Sequence, residues 1–290
     1  MIREHEPVSL GGDDQALGLR NRERAPVIRL RPTRESRPHV IAVTSGKGGV
    51  GKTQISANTA VGLAMSGRRV LLLDADLGLA SLDLALGISP DKTLLSVLTN
   101  ECSVNETIVE GPAGVHLIPA CPGRYDVANL DAAQRARLWD LVEEAAVGYD
   151  ALIIDTGAGI GSNAVGFASY ADDVLLVTTP DPSSLRDAYA MAKVLHRRGG
   201  VDRVCVLANQ VTNQREGAEI YSRMDSVVRR FLTLDLAYVG AVPRDEVVRE
   251  GVAMGHPFVM RKPDSAAAAA IQNLVRRLNV IGTTQVHESC

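Results

Sequence analysis

The hydrophobic positions of this chain fall into short unbroken runs, separated by longer stretches of helical spacing. Val40-Ile41-Ala42-Val43, Val70-Leu71-Leu72-Leu73, Ala151-Leu152-Ile153-Ile154 and Val174-Leu175-Leu176-Val177 are continuously apolar. Arg203 to Ala208 and Leu236 to Val242 add two further runs. Unbroken rather than alternating hydrophobicity marks strands covered on both faces, as in a parallel sheet. Between the runs, residues 53–66, 131–146, 183–198 and 214–231 carry helical spacing. The repetition predicts an α/β fold: a doubly wound, mostly parallel sheet with helices on both faces. A last helix is expected over 264–281, where Ile271, Leu274, Leu278 and Ile281 form a stripe opposite Arg276 and Arg277. Packing on the sheet is the simpler use of that stripe, and contact with an anionic membrane surface is the alternative.

Residues 1–38 have a different texture. From Arg20 to Arg37 there are seven arginines against two glutamates, with Pro26 and Pro32 interrupting and Pro38 just beyond. A basic segment without apolar periodicity reads as a flexible extension. Within it, Asp14-Gln15-Ala16-Leu17-Gly18-Leu19-Arg20 can form a turn or two of helix. Gly18 costs such a helix about 1 kcal/mol, so it would fold mainly against a partner. The expected organisation is an extension over 1–38, an α/β domain over 39–281 and a frayed tail over 282–290.

The 290 residues, 46% of them hydrophobic, suffice for the core of such a domain. A net charge of −3 with only five lysines argues against direct, non-specific DNA binding. No run approaches the roughly 18 apolar residues of a membrane span, and the Arg/Glu-rich start has no apolar signal-peptide core. The expectation is a cytoplasmic protein, neither secreted nor spanning. Cys102, Cys121, Cys205 and Cys290 form no CxxC pair, and the six histidines show no metal-ligand spacing. Cys205, inside an apolar run, reads as a core residue.

The chemistry lies elsewhere. Gly46-Lys47-Gly48-Gly49-Val50-Gly51-Lys52-Thr53 satisfies G-x-x-x-x-G-K-[ST] between an expected strand and an expected helix. The backbone N–H groups of such a loop turn inward around phosphate oxygens, and the helix N-terminus adds the positive end of its dipole. Lys52 then reaches the β- and γ-phosphates and the Thr53 hydroxyl ligates Mg²⁺, with Gln54 counted in the same nucleotide-binding segment. Leu73-Asp74-Ala75-Asp76 and Ile153-Ile154-Asp155-Thr156-Gly157 both end apolar strands in carboxylates, at the edge where doubly wound sheets collect ligands. Asp155 has the Walker B form and is expected to hold Mg²⁺ through water.

Lys47 sharpens the picture. With it the loop reads K-G-G-x-G-K-T and resembles the deviant Walker A of the MinD/ParA family of dimerising ATPases, a likeness that extends over roughly residues 39 to 280. The resemblance implies a P-loop fold and hydrolysis of ATP to ADP with Mg²⁺ in a nucleotide-sandwich homodimer. Lys47 would reach the partner's phosphates there and offset charge developing in phosphoryl transfer. By the same resemblance Asp76 orients the attacking water, Asp74 supports the metal shell or switch I, and Gly157 and Gly159 free switch II. Asn209 would pair with the adenine edge, and Pro243 and Asp245 would belong to a segment closing over the base. Thr179-Pro180-Asp181-Pro182-Ser183-Ser184-Leu185-Arg186-Asp187 resembles N-P-E-V-S-S-V-R-D, which implies that Asp181 holds the partner's Lys47 or a ribose.

Two segments resemble the FlhG branch of the family, also called FleN or YlxH. Asp74 to Asp83 fits D-A-D-x-G-x-A-x-x-D, and Asp14 to Arg20 fits the activator motif D-Q-A-x-x-L-R. The branch sets flagellar number and placement. Asp14, Gln15, Ala16, Leu19 and Arg20 would then stimulate the GTPase FlhF, with flagellar C-ring proteins and, in some bacteria, an enhancer-binding regulator of flagellar genes as further partners. Peripheral contact with the inner membrane at the cell pole would follow. A septum-placing MinD, a ParA-type partitioning ATPase and a slow-turnover nucleotide-stabilised adaptor are the competing readings.

Overall fold

The computed structural model describes the backbone of residues 37–121 and 130–287, and side chains as far as Leu278. In chain order the elements are β1 (His39–Thr44), α1 (Lys52–Met65), β2 (Val70–Ala75), α2 (Leu82–Leu86), α3 (Leu94–Leu98), β3 (Val109–Glu110) and β4 (His116–Ile118). There follow α4 (Ala132–Ala145), β5 (Ala151–Thr156), α5 (Ser162–Ala168), β6 (Asp173–Thr178), α6 (Pro182–Gly199) and β7 (Arg203–Val211). The chain continues with α7 (Gln214–Phe231), β8 (Asp235–Pro243), α8 (Glu246–Met254), α9 (Phe258–Arg261) and α10 (Ala266–His287).

The strands form one sheet in the order β3-β4-β2-β5-β1-β6-β7-β8. Every neighbouring pair is parallel except β3 with β4. Strand residues alternate between two cores. Val40, Leu71, Ile154, Val174 and Val206 face one side, where Trp139 and Val142 of α4, Phe167 of α5, Met191 of α6 and Met224 of α7 cover them. Ile41, Leu72, Ile153, Leu175 and Cys205 face the other, beneath α1 and α10. Burial on both faces is what makes these runs continuously apolar.

Helix starts follow capping chemistry. Asp131 accepts from the Ala133 and Gln134 N–H groups while Gln134 reaches back, a capping box for α4. Asn213 caps α7 through the Glu216 N–H. The terminal helix settles the use of its stripe as far as Leu278: Ile271, Leu274 and Leu278 are buried in the core shared with α1. Its backbone runs past the expected end at Ile281 to His287. Among the described residues, no helix is long and apolar enough to cross a membrane.

Candidate functional site

The sheet order puts β2, β5 and β1 side by side, so their C-terminal ends bring three loops together. Asp74 and Asp155 are register partners across β2 and β5, which sets the two carboxylates next to each other. The loop 46–51 leaves β1 and enters α1. Two of its glycines are obligatory. A Cβ on Gly46 would lie 1.9 Å from the Asp187 carbonyl oxygen at the start of α6. Gly51 has φ +93°, and a Cβ there would stand 2.5 Å from Asn209 Nδ2. Gly51 caps α1 without any side-chain acceptor, so the first N–H groups of that helix are left for an anion.

Asp74 and Asp155 are each 1% exposed. Asp74 accepts from the Asp76, Ser81 and Leu82 N–H groups, each at 3.1 Å, and so ties residues 76–82 to the end of β2. Burial, then the neighbouring Asp155 charge, pushes its carboxyl up to about 8 against the pull of those hydrogen bonds. Burial also raises Asp155, to about 6, opposed by Lys52 and by hydrogen bonds from Ser56 and Thr53. At neutral pH the pair therefore retains one proton, chiefly on Asp74, and leaves Asp155 as the carboxylate open to a cation. The oxygens of Thr53 and Asp155 are hard donors of the kind Mg²⁺ selects, so these two side chains would hold the ion, which would offset phosphate charge there. Ser81 Oγ lies 3.3 Å from Thr53 Oγ1, which couples the 76–82 loop to that position. Both Asp74 oxygens are taken by backbone N–H groups, so its geometry favours the loop-anchoring alternative over direct metal contact.

Asp76 is half-buried and its Oδ1 accepts from the Leu79 N–H at 3.3 Å. The same oxygen lies 3.6 Å from the Cβ position of Gly157, so the loops after β2 and β5 meet at this carboxylate. Lys52 is buried to 7% exposure beside Asp155. Lys47 lies at the mouth of the phosphate loop. In the single chain its Nζ bonds to its own Asp181 Oδ2 at 2.8 Å and its own Ser183 Oγ at 2.6 Å. Lys47, with the Ser183 N–H behind it, holds the Asp181 carboxyl down at about 2. Both partners are substantially exposed, so water screens the pair and it holds Lys47 loosely.

A cavity of about 610 Å³ opens between the start of α1, the end of β7 and α8, with Gln54, Asn209, Pro243 and Asp245 on its wall. Asn209 Nδ2 donates to the Val50 carbonyl at 2.7 Å, which leaves Oδ1 to accept from the exocyclic amine of adenine. Asp245 builds the wall: one oxygen takes the Val247 N–H of α8 and the other the Ala267 N–H of α10. Next to it a smaller opening of about 240 Å³ sits at the mouth of the phosphate loop, lined in part by Lys47, Asp181, Gln210 and Arg244. The sequence had not singled out Gln210 or Arg244. Their immediate neighbours, Asn209, Pro243 and Asp245, were the signal available. Cys205 is buried and its thiol is pushed up to about 12 by burial, in keeping with a core residue. The motif Asp14 to Arg20 lies outside the described residues.

Residues 41–258 match the CobQ/CobB/MinD/ParA nucleotide binding domain. The antiactivator FleN of Pseudomonas aeruginosa is 42% identical over 240 residues, 83% of this chain and 86% of its own. The flagellum site-determining protein YlxH of Helicobacter pylori is 39% identical over 215 residues, 73% of this chain and 72% of its own. Among solved structures, the septum site-determining protein MinD of Pyrococcus horikoshii, complexed with Mg-ADP, superposes with a TM-score of 0.69 at 27% identity. That likeness covers 83% of this chain and 96% of the other.

Proposed function

Because the chain belongs to the CobQ/CobB/MinD/ParA nucleotide-binding family, whose MinD/ParA members are ATPases, we propose that it is an ATP-driven dimerising switch of the FlhG type that regulates flagellar number and placement. The observation that carries the switch is Lys47: a cation at the open mouth of the phosphate loop, held by the exposed Asp181 and the half-buried Ser183 of its own chain.

ATP enters with its base in the cavity under Asn209 and its phosphates on the N–H groups that open α1. Lys52 binds the β- and γ-phosphates, and Thr53 and Asp155 hold Mg²⁺, which when bound offsets phosphate charge. Lys47 leaves Asp181 for the phosphates of a facing protomer. Asp76, at the junction of the loops after β2 and β5, orients the attacking water, and hydrolysis to ADP returns monomers. Residues 14–20 stimulate FlhF, and the switch acts in the cytoplasm, in part at the polar inner membrane, on C-ring proteins and a flagellar transcription regulator.

The likeness to FleN and YlxH supports the flagellar assignment over septum placement or plasmid partition. The test is GTP hydrolysis by FlhF from the same organism with a peptide of residues 1–38. Stimulation is expected, and it should vanish when Gln15 and Arg20 are changed to alanine. Absence of stimulation by the native peptide overturns the activator role.

A further inference from the structure

Strand β7 pairs with β8 up to Asn209, opposite Val242, with one shift between Val206 and Leu207 where Val239 is passed over, and resumes at Val211, opposite Pro243. Gln210 is left out of the ladder as a bulge, with φ +59°. An unpaired residue there needs partners for its polar groups. Its side-chain amide reaches the Gly49 carbonyl of the phosphate loop at 3.4 Å, and its own carbonyl accepts from Arg244 Nε at 2.9 Å. Arg244 is in turn fixed at its backbone, where its N–H donates to the Val211 carbonyl at 2.8 Å. One guanidinium N–H is thus spent on orientation and the terminal nitrogens are left over.

Among the described residues no carboxylate pairs with Arg244; Glu216 feels its charge from beyond ion-pair distance. Lys47, by contrast, is matched by Asp181 at 2.8 Å. Arg244 lines both the base cavity and the mouth of the phosphate loop. A nucleotide with its base in one and its β- and γ-phosphates in the other must carry its ribose and α-phosphate past the junction. We propose that Arg244 is a nucleotide-binding residue whose guanidinium, aimed by the Gln210 bulge, contacts the α-phosphate of the nucleotide bound to its own chain. The inference rests on the nucleotide-site reading above and adds to it a contact made equally with ATP and ADP.

A contact common to substrate and product shifts binding and leaves the chemical step alone. Titration calorimetry of the full chain with Mg-ADP and with adenosine separates the possibilities. Arg244→Ala should weaken ADP about tenfold, the worth of a charge-assisted hydrogen bond, with adenosine unchanged. Arg244→Gln keeps a donor for the Gln210 carbonyl and loses the charge. It should weaken ADP to the same extent while keeping the wild-type melting temperature, so it stands in if the alanine variant misfolds. In steady-state hydrolysis KM for ATP should rise and kcat stay within about twofold. Equal loss of adenosine affinity would make Arg244 a support of the base pocket and overturn the proposal. A fall in kcat with unchanged ADP affinity would also overturn it, because the guanidinium would then act on the transition state. If the wild-type chain binds ADP and Lys52→Ala abolishes that binding while Arg244→Gln leaves it intact, only the Arg244 contact fails. If the wild-type chain binds no ADP, the nucleotide site falls and Arg244 with it.

Discussion

Asp74 makes the clearest demand at the scale of single residues. Its carboxyl, ordinarily near 4, is raised to about 8, so the folded chain holds a proton that the unfolded chain releases. Stability of the nucleotide-free protein therefore falls as pH rises from about 4 to 8 on account of this group, and levels off above 8. Asp74→Asn removes the dependence: its melting temperature relative to wild type should rise steadily between pH 5 and pH 8. A pH-independent difference would mean that the carboxylate is not buried as placed. Lys47 and Asp181 give a second residue-scale expectation. Asp181→Asn keeps an oxygen for the Ser183 N–H but gives up the charge holding Lys47, so ATP-driven dimerisation measured by sedimentation should strengthen a few-fold at low salt. Lys47→Ala should still bind ATP and lose dimer-dependent hydrolysis, whereas Lys52→Ala should lose the binding itself. Asp76→Ala should behave like Lys47→Ala toward ATP, retaining binding with hydrolysis reduced.

Elements were legible in the sequence in proportion to their length and burial. The six runs buried on both faces read directly as strands, and the four long helices fell within a residue or two of their spacing, because a doubly covered sheet leaves little choice of register. The strands β3 and β4 and the helices α2, α3, α5, α8 and α9 did not read, being too short to establish a period. Site legibility followed a different logic. The phosphate loop and the strand-end carboxylates are local patterns, so Gly46 to Thr53, Asp74, Asp76 and Asp155 could be found by eye. Arg244 works through a bulge in another strand, which no local pattern encodes. The terminal helix offers an element-scale test, since Leu274 is 1% exposed. Leu274→Ala should cost about 2–5 kcal/mol in urea unfolding. An unchanged midpoint would mean that the stripe does not pack against α1.

For the whole molecule, ligand and proton compete for the same buried carboxylate, Asp155. Mg²⁺ should bind more weakly as pH falls below about 6, where Asp155 gains its proton. Adding Mg²⁺ to the metal-free, ADP-bound chain should thus raise its melting temperature clearly at pH 8 and much less at pH 5.5. A Mg²⁺ effect independent of pH would place the ion elsewhere.

Asp245 serves two helices at once. One carboxylate starts α8, a wall of the base cavity, and also pins the first turn of α10, the helix that leads out to the C-terminus. A shift of that first turn is therefore felt at the rim of the nucleotide pocket, through this carboxylate and through the apolar core that the two helices share.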